Sequence, residues 1–187
     1  MSGHGHVDPS NKKIALLISI LALVLAFSET LGKGAQTAAL SHNIEASNLW
    51  TFFQAKTIRS TMLRTAAEAL EVEMAQVSGQ EPKQAMQKRI ADWKASVARY
   101  DSEPETQEGR KELAARAKSA ESRRDHSLAA YHNYELASAA IQIAIVLASA
   151  EIITGVVLLT WISGGLGLLG IAFCTLGFFA PTAVHLF

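Results

Sequence analysis

The residue whose type and position best suit chemistry is Glu151, the one acidic side chain between Leu136 and Phe187 in a stretch without lysine or arginine. An ionised carboxylate in hydrocarbon costs several kcal/mol at least, so Glu151 is expected to be protonated or paired. It could serve a proton or ion step, or it could be a packing device that hydrogen-bonds a neighbouring helix or subunit. Four hydroxyls are expected at a similar depth and are candidate partners: Ser19, Ser149, Thr154 and Thr175.

A second polar group could form from three residues expected near one membrane face. Glu29 lies near the end of the first apolar run, Gln142 near the start of the second, and His185 near the end of the third. They would form one cluster if the third apolar helix returns toward the hydrophilic part of the chain. The alternative is three independent interfacial residues.

The amino-terminal segment contains one candidate metal site. If Met1 is removed, the new terminus is Ser2-Gly3-His4, whose amine, backbone nitrogens and imidazole suit square-planar Cu(II) or Ni(II). A retained Met1 abolishes the site, and incidental histidines in a flexible polar tail (residues 1–13) are the alternative.

Groupings typical of enzymes and nucleic-acid binders are missing from the sequence. It contains no nucleophile–base pair, no phosphate-binding glycine loop after a strand, and a single cysteine, Cys174. The 17 basic and 17 acidic residues cancel, which argues against a nucleic-acid partner. The sequence therefore predicts a protein without enzymatic activity or cofactor.

The elements that position these residues are apolar helices at both ends of the chain. Apolar runs near the length of a bilayer crossing, about 20 residues, predict transmembrane helices at 14–31, 137–161 and 166–186. The last two are separated by Ser163-Gly164-Gly165, which places Glu151 near the middle of the second span. The predicted fold class is an all-α membrane protein with three transmembrane helices and a long antiparallel helical hairpin between the first two.

The hydrophilic region, residues 32–136, predicts three helices. A long helix at 35–77 begins after Gly32 and Gly34, a short helix at 83–100 serves as a cap, and a long helix at 105–136 continues into the next span as one rod of more than fifty residues. The first helix has a heptad-like seam, spaced by alternating threes and fours, that three polar residues interrupt: His42, Lys56 and Ser60.

The seam requires a partner helix, because such a helix is not stable alone in water. Its aromatic residues are typical of a core, yet the partner helix could also come from another subunit. Small residues spaced four apart in the second span allow a similar close approach in the membrane. The predicted oligomer or partner face consists of Trp50, Phe53, Leu63, Leu70, Ala144 and Ala148.

The stretch from Asn48 to Arg59, NLWTFFQAKTIR, resembles a family of small bacterial membrane proteins catalogued as domain of unknown function 4337. The order of parts is also similar, with one span, a long helical segment and two final spans. The resemblance covers most of the chain from Lys12 onward. It implies a bacterial inner-membrane location, but no activity, cofactor or site residue.

These observations predict a structural or accessory inner-membrane protein that acts by homo-oligomerisation or by partner binding through its helical domain. Its expected partners are the lipid bilayer and either further copies or a larger membrane complex. The alternative is a small proton- or ion-coupled channel or transporter component that uses Glu151. Lys12 and Lys13 favour a cytoplasmic amino terminus and a periplasmic domain, whereas Lys33, Arg123 and Arg124 favour a cytoplasmic domain.

Overall fold

The computed structural model describes the backbone of residues 9–183 and the side chains of residues 12–183. This part of the chain contains four α-helices and no β-strand: α1 (Pro9–Gln76), α2 (Gln80–Asp101), α3 (Arg110–Thr154) and α4 (Leu158–Phe179). The chain divides into two compact units. The first comprises Met1–Leu40 and Arg123–Phe187, and the second comprises Ser41–Ser122.

Three of the four helices, α1, α3 and α4, are long and apolar enough to cross a membrane. Many apolar side chains of these segments are exposed on the protein surface, among them Leu23, Val146 and Leu168, with exposed fractions of 58%, 65% and 71%. The all-helical class and the presence of three such helices are therefore confirmed.

In the first unit, small residues allow the three helices to approach closely. Ala140, Ala144 and Ala148 of α3 are buried, as are Gly167, Gly170 and Gly177 of α4. Leu21 of α1 packs with Ile141 and Ala144. Because lipid tails are as apolar as leucine, packing of this kind is what holds helices together in a bilayer.

Helix α1 passes through Gly32 and Gly34 without interruption, so the predicted helix end at residue 31 and helix start at residue 35 are wrong. A glycine in a helix interior costs only about 1 kcal/mol relative to alanine, which tertiary packing can offset. Gly32 is buried, and a Cβ there would lie 3.3 Å from the Tyr134 Cβ. Gly32 therefore allows α1 and α3 to approach closely and does not end the helix.

The predicted break at Ser163-Gly164-Gly165 is also wrong. The chain turns between Thr154 and Leu158, where Gly155 has φ 69° and donates its N–H to the Glu151 carbonyl at 2.8 Å. A left-handed glycine of this kind is a common helix end. Ser163 lies inside α4, where its Oγ donates to the Ala144 carbonyl at 2.7 Å. Helix α3 runs continuously from the hydrophilic into the apolar region, but it ends at Thr154 instead of Trp161.

In the second unit, α2 and the start of α3 both lie along α1. Near one end, Lys94 of α2 pairs with Glu71 of α1 at 2.6 Å. Near the other, the Trp50 indole N–H donates to Glu121 of α3 at 2.8 Å. The short middle helix is therefore a second packing partner of α1 and not a cap, because its buried Ile90 and Val97 need an apolar face to cover them.

Candidate functional sites

The first candidate site is a polar layer in the first unit, and two of its three predicted members meet. The Gln142 amide donates to the Glu29 carboxylate at 3.3 Å. His185, the third, lies outside the described residues. Beside this pair in the same helices, the buried Ser28 hydroxyl donates to the Tyr134 carbonyl at 3.0 Å and accepts from Ser138 at 3.1 Å. The hydroxyls of Ser28 and Ser138 thus extend the layer, although the sequence reasoning did not include them.

This layer borders a groove of about 470 Å³ between α1 and α3. Its charged side chains are Glu29 and Lys33 from α1 and Glu135 from α3, and Tyr131 contributes an aromatic ring. Gln142 is neutral, so its hydrogen bond leaves the negative charge of Glu29 uncompensated. The groove therefore combines carboxylates with an ammonium group.

Glu151 is buried, with an exposed fraction of 6%, and its Oε2 has no hydrogen-bond partner. The four hydroxyls predicted as partners bond instead to carbonyls of their own helices. Glu151 also lies only three residues, about 5 Å along the axis, before the end of α3 at Thr154, not in the middle of its helix. The carboxyl is therefore a buried group with spare hydrogen-bonding capacity beside the α3–α4 turn.

The second unit contains a charged cluster around Lys56, which the sequence reasoning treated only as an interruption of the seam. Lys56 is 5% exposed, and its Nζ lies 3.4 Å from Glu103 and 3.7 Å from Glu108. The same Nζ lies 5.2 Å from the centre of the Phe52 ring and 5.6 Å from that of Tyr100. The ion pairs of Lys56 therefore link α1 to the connection between α2 and α3, residues 102–109, so the role of this lysine is structural.

Glu112 organises the same connection from the first turn of α3. It accepts from the Ser102 hydroxyl at 2.7 Å and from the Glu103 backbone N–H at 3.2 Å. The hydrogen bond from Ser102 is the main cause that lowers the pKa of Glu112 below its ordinary value of 4.5. Gly109 leaves room for this arrangement, since a Cβ there would overlap the Glu112 carboxylate and the Glu103 nitrogen.

The six residues predicted as an oligomer or partner face are all buried or half-buried within this chain. Trp50 and Phe53 pack against a core of Ala46, Leu49, Leu113, Ala117 and Ala120. Leu63 and Leu70 are half-buried, and Ala144 and Ala148 are fully buried. The seam thus finds its partner helices within the chain.

An exposed stripe on the opposite side of α1 was missed. Ile58, Met62 and Val72 are exposed by 59%, 67% and 65%, and Thr65 and Ala69 lie between them. The spacing of these five residues alternates between four and three, which is a second heptad pattern. An apolar groove of about 630 Å³ runs along this outer stripe. The same periodicity count that found the inner seam could have revealed it.

The described residues contain no candidate metal-binding site. No group of three or more His, Cys, Asp or Glu side chains in residues 12–183 could hold a metal ion. The predicted Ser2-Gly3-His4 site lies outside the described residues.

Fold and sites together define an all-helical protein with three helices capable of crossing a membrane and a hydrophilic helical unit. The sequence model of the family described as domain of unknown function (DUF4337) matches residues 10–180, so the chain belongs to that family. The family assignment expected from the Asn48–Arg59 stretch is therefore confirmed. No curated protein and no solved structure matches the chain.

Proposed function

We propose that the protein is a structural membrane protein whose three apolar segments insert in the bilayer and whose helical unit pairs with that of a second copy. The observation that carries the proposal is the outer stripe of α1 (Ile58, Met62, Thr65, Ala69 and Val72), which is exposed although it has coiled-coil spacing. A helix face of this pattern is stabilised when a second helix covers it. The inner seam of α1 cannot be the interface with a second copy, because α2 and α3 of the same chain already cover it.

The charges beside the stripe favour an antiparallel pair. Arg59 and Glu73 flank one side of the stripe and Glu68 flanks the other. In an antiparallel pair centred near Thr65, Arg59 of each copy faces Glu73 of the other. A parallel pair would instead place Glu68 against Glu73, and like charges at such positions are destabilising.

Cysteine cross-linking tests both the pairing and its direction. In a Cys174→Ser background, Thr65→Cys should form disulfide-linked dimers with itself. Ile58→Cys and Val72→Cys should cross-link with each other when the two proteins are reconstituted together, but not alone. The matched control is Gln87→Cys, on the exposed surface of α2, which should stay monomeric under oxidation.

Two outcomes would contradict the proposal in different ways. If each of the three variants forms dimers with itself, the pair is parallel and the charge argument is wrong. If none of them cross-links above the level of Gln87→Cys, this stripe is not the interface.

A second candidate function is supported by Glu151, whose carboxyl is buried with one unpartnered oxygen. Such a group is suited to taking up and releasing a proton in a channel or transporter. Proteoliposomes that contain the wild type should then show proton flux, and Glu151→Gln should abolish it. Absence of flux in the wild type removes this candidate and leaves the packing role of Glu151.

A further inference from the structure

The groove between α1 and α3 in the first unit has charges that its own side chains do not neutralise. Lys33 makes no ion pair with any described residue, although Glu29 lies one turn before it in α1. Glu29 is bonded to the neutral amide of Gln142, and Glu135 lies 3.7 Å from the His132 imidazole. One cationic and two anionic side chains therefore face a shared space of about 470 Å³.

This distribution suits a ligand that carries both signs of charge. A ligand ammonium is complementary to Glu29 and Glu135, and a ligand phosphate is complementary to Lys33. Tyr131 adds an aromatic ring to the same wall, and such rings also attract cations. A purely anionic ligand would meet two carboxylates, and a purely cationic one would meet the lysine.

The position of the groove indicates where such a ligand comes from. Its lining residues run from Ser28 to Gln36 on α1 and from Tyr131 to Gln142 on α3. These ranges include the points at which the apolar part of α1 ends and that of α3 begins. If the apolar segments insert as proposed above, the groove lies at the level of the lipid headgroups. On the membrane side, α3 continues with the exposed Ile143 and Val146, which suit acyl chains.

We propose that this groove binds the headgroup of a zwitterionic phospholipid with a primary ammonium, such as phosphatidylethanolamine. The ammonium lies between Glu29 and Glu135, the phosphate contacts Lys33, and the acyl chains follow the exposed apolar face of α3. The inference rests on the proposed membrane insertion, but not on dimer formation.

Native mass spectrometry of the detergent-solubilised full chain tests the proposal. The probes are phosphatidylethanolamine, phosphatidylcholine and phosphatidylglycerol with identical acyl chains, together with soluble phosphoethanolamine. The wild type should retain phosphatidylethanolamine over the other two lipids. The double variant Glu29→Gln/Glu135→Gln should lower its affinity by about tenfold, as expected for the loss of two partly exposed ion pairs. The control Glu105→Gln, at an exposed position of the 102–109 connection, should bind as the wild type does.

Two results would overturn the inference. Equal retention of the three lipids, or unchanged retention in the double variant, means that the groove does not distinguish lipids by their headgroups. Binding of soluble phosphoethanolamine as tight as that of the lipid means that the ligand is a free solute. The same spectra report the dimer mass, so failed lipid selection with an intact dimer is distinguishable from failed pairing. Protein that remains soluble when detergent is omitted would instead refute membrane insertion.

Discussion

Replacing Gly170 by alanine tests the packing of the apolar helices most sharply, because only one methyl group is added. A Cβ at this position would lie 2.5 Å from the Ile141 Cγ1, 3.0 Å from its Cδ1 and 3.1 Å from the Ala137 carbonyl oxygen. Favourable carbon contacts lie at about 3.5–4.0 Å, so α4 must move away by roughly 1 Å or Ile141 must leave its rotamer. Overpacking of this kind costs about 1–3 kcal/mol.

Gly165→Ala is the matched control, because it lies on the exposed face of the same helix and nothing lies within 4 Å of its added Cβ. Both substitutions gain up to about 1 kcal/mol of helix propensity. We therefore expect Gly170→Ala to be less stable than Gly165→Ala by about 1–3 kcal/mol, the overpacking cost alone. Equilibrium unfolding in mixed micelles, followed by circular dichroism, measures the difference. Equal stability of the two variants would refute the helix contact.

Two further predictions concern the hydrophilic helical unit. Lys56→Met should destabilise this unit by about 1–3 kcal/mol. The loss is smaller than for a fully buried ion pair because the carboxylate partners of Lys56 are partly exposed. The control Lys88→Met, on the exposed surface of α2, should change the stability little. Thermal melts that show equal losses for the two variants would contradict this role of Lys56. Because the folded-state pKa of Glu112 is lowered, its carboxylate stabilises the fold at neutral pH, and that contribution is lost as the pH falls below 4.5 through the lowered pKa. Glu112→Gln should therefore lower the melting temperature more at pH 7 than at pH 3, and an equal loss at both would refute the assignment.

The sequence correctly predicts which residues of α1 face the core of the helical unit. The twelve predicted seam positions are all buried or half-buried, including the interruptions Lys56 and Ser60. These positions are Ala39, His42, Ala46, Leu49, Phe53, Lys56, Ser60, Leu63, Ala67, Leu70, Met74 and Val77. A buried lysine was not expected, because its partners Glu103 and Glu108 lie far along the chain. Heptad spacing shows that a helix needs a partner, but not whether that partner belongs to the same chain.

The helix boundaries could not be predicted as well, because glycine has two opposite uses. At Gly155 it takes a left-handed conformation that ends α3, whereas at Gly32 its small size allows close packing inside a continuous helix. Composition does not distinguish these uses, so the sequence predicts the turn at Ser163-Gly164-Gly165 and not at Gly155. The predicted position of Glu151 in the middle of its helix followed from that turn, and it is wrong because α3 ends at Thr154. The Glu29–Gln142 contact, in contrast, depended only on which ends of the apolar runs are adjacent.

The most direct test of the account is whether lipid covers the apolar segments while water covers the helical unit. Single cysteines replace Leu23, Val146 and Leu168, all exposed and apolar, and Gln87 on the exposed surface of α2 as the water-facing control, in a Cys174→Ser background. Vesicles of each variant, prepared so that the helical unit faces outward, are treated with a maleimide-linked polyethylene glycol. The account predicts labelling at Gln87→Cys in intact vesicles and at the other three positions only after complete denaturation in detergent. Labelling of Leu23→Cys, Val146→Cys and Leu168→Cys in intact vesicles, to the same extent as Gln87→Cys, would contradict it.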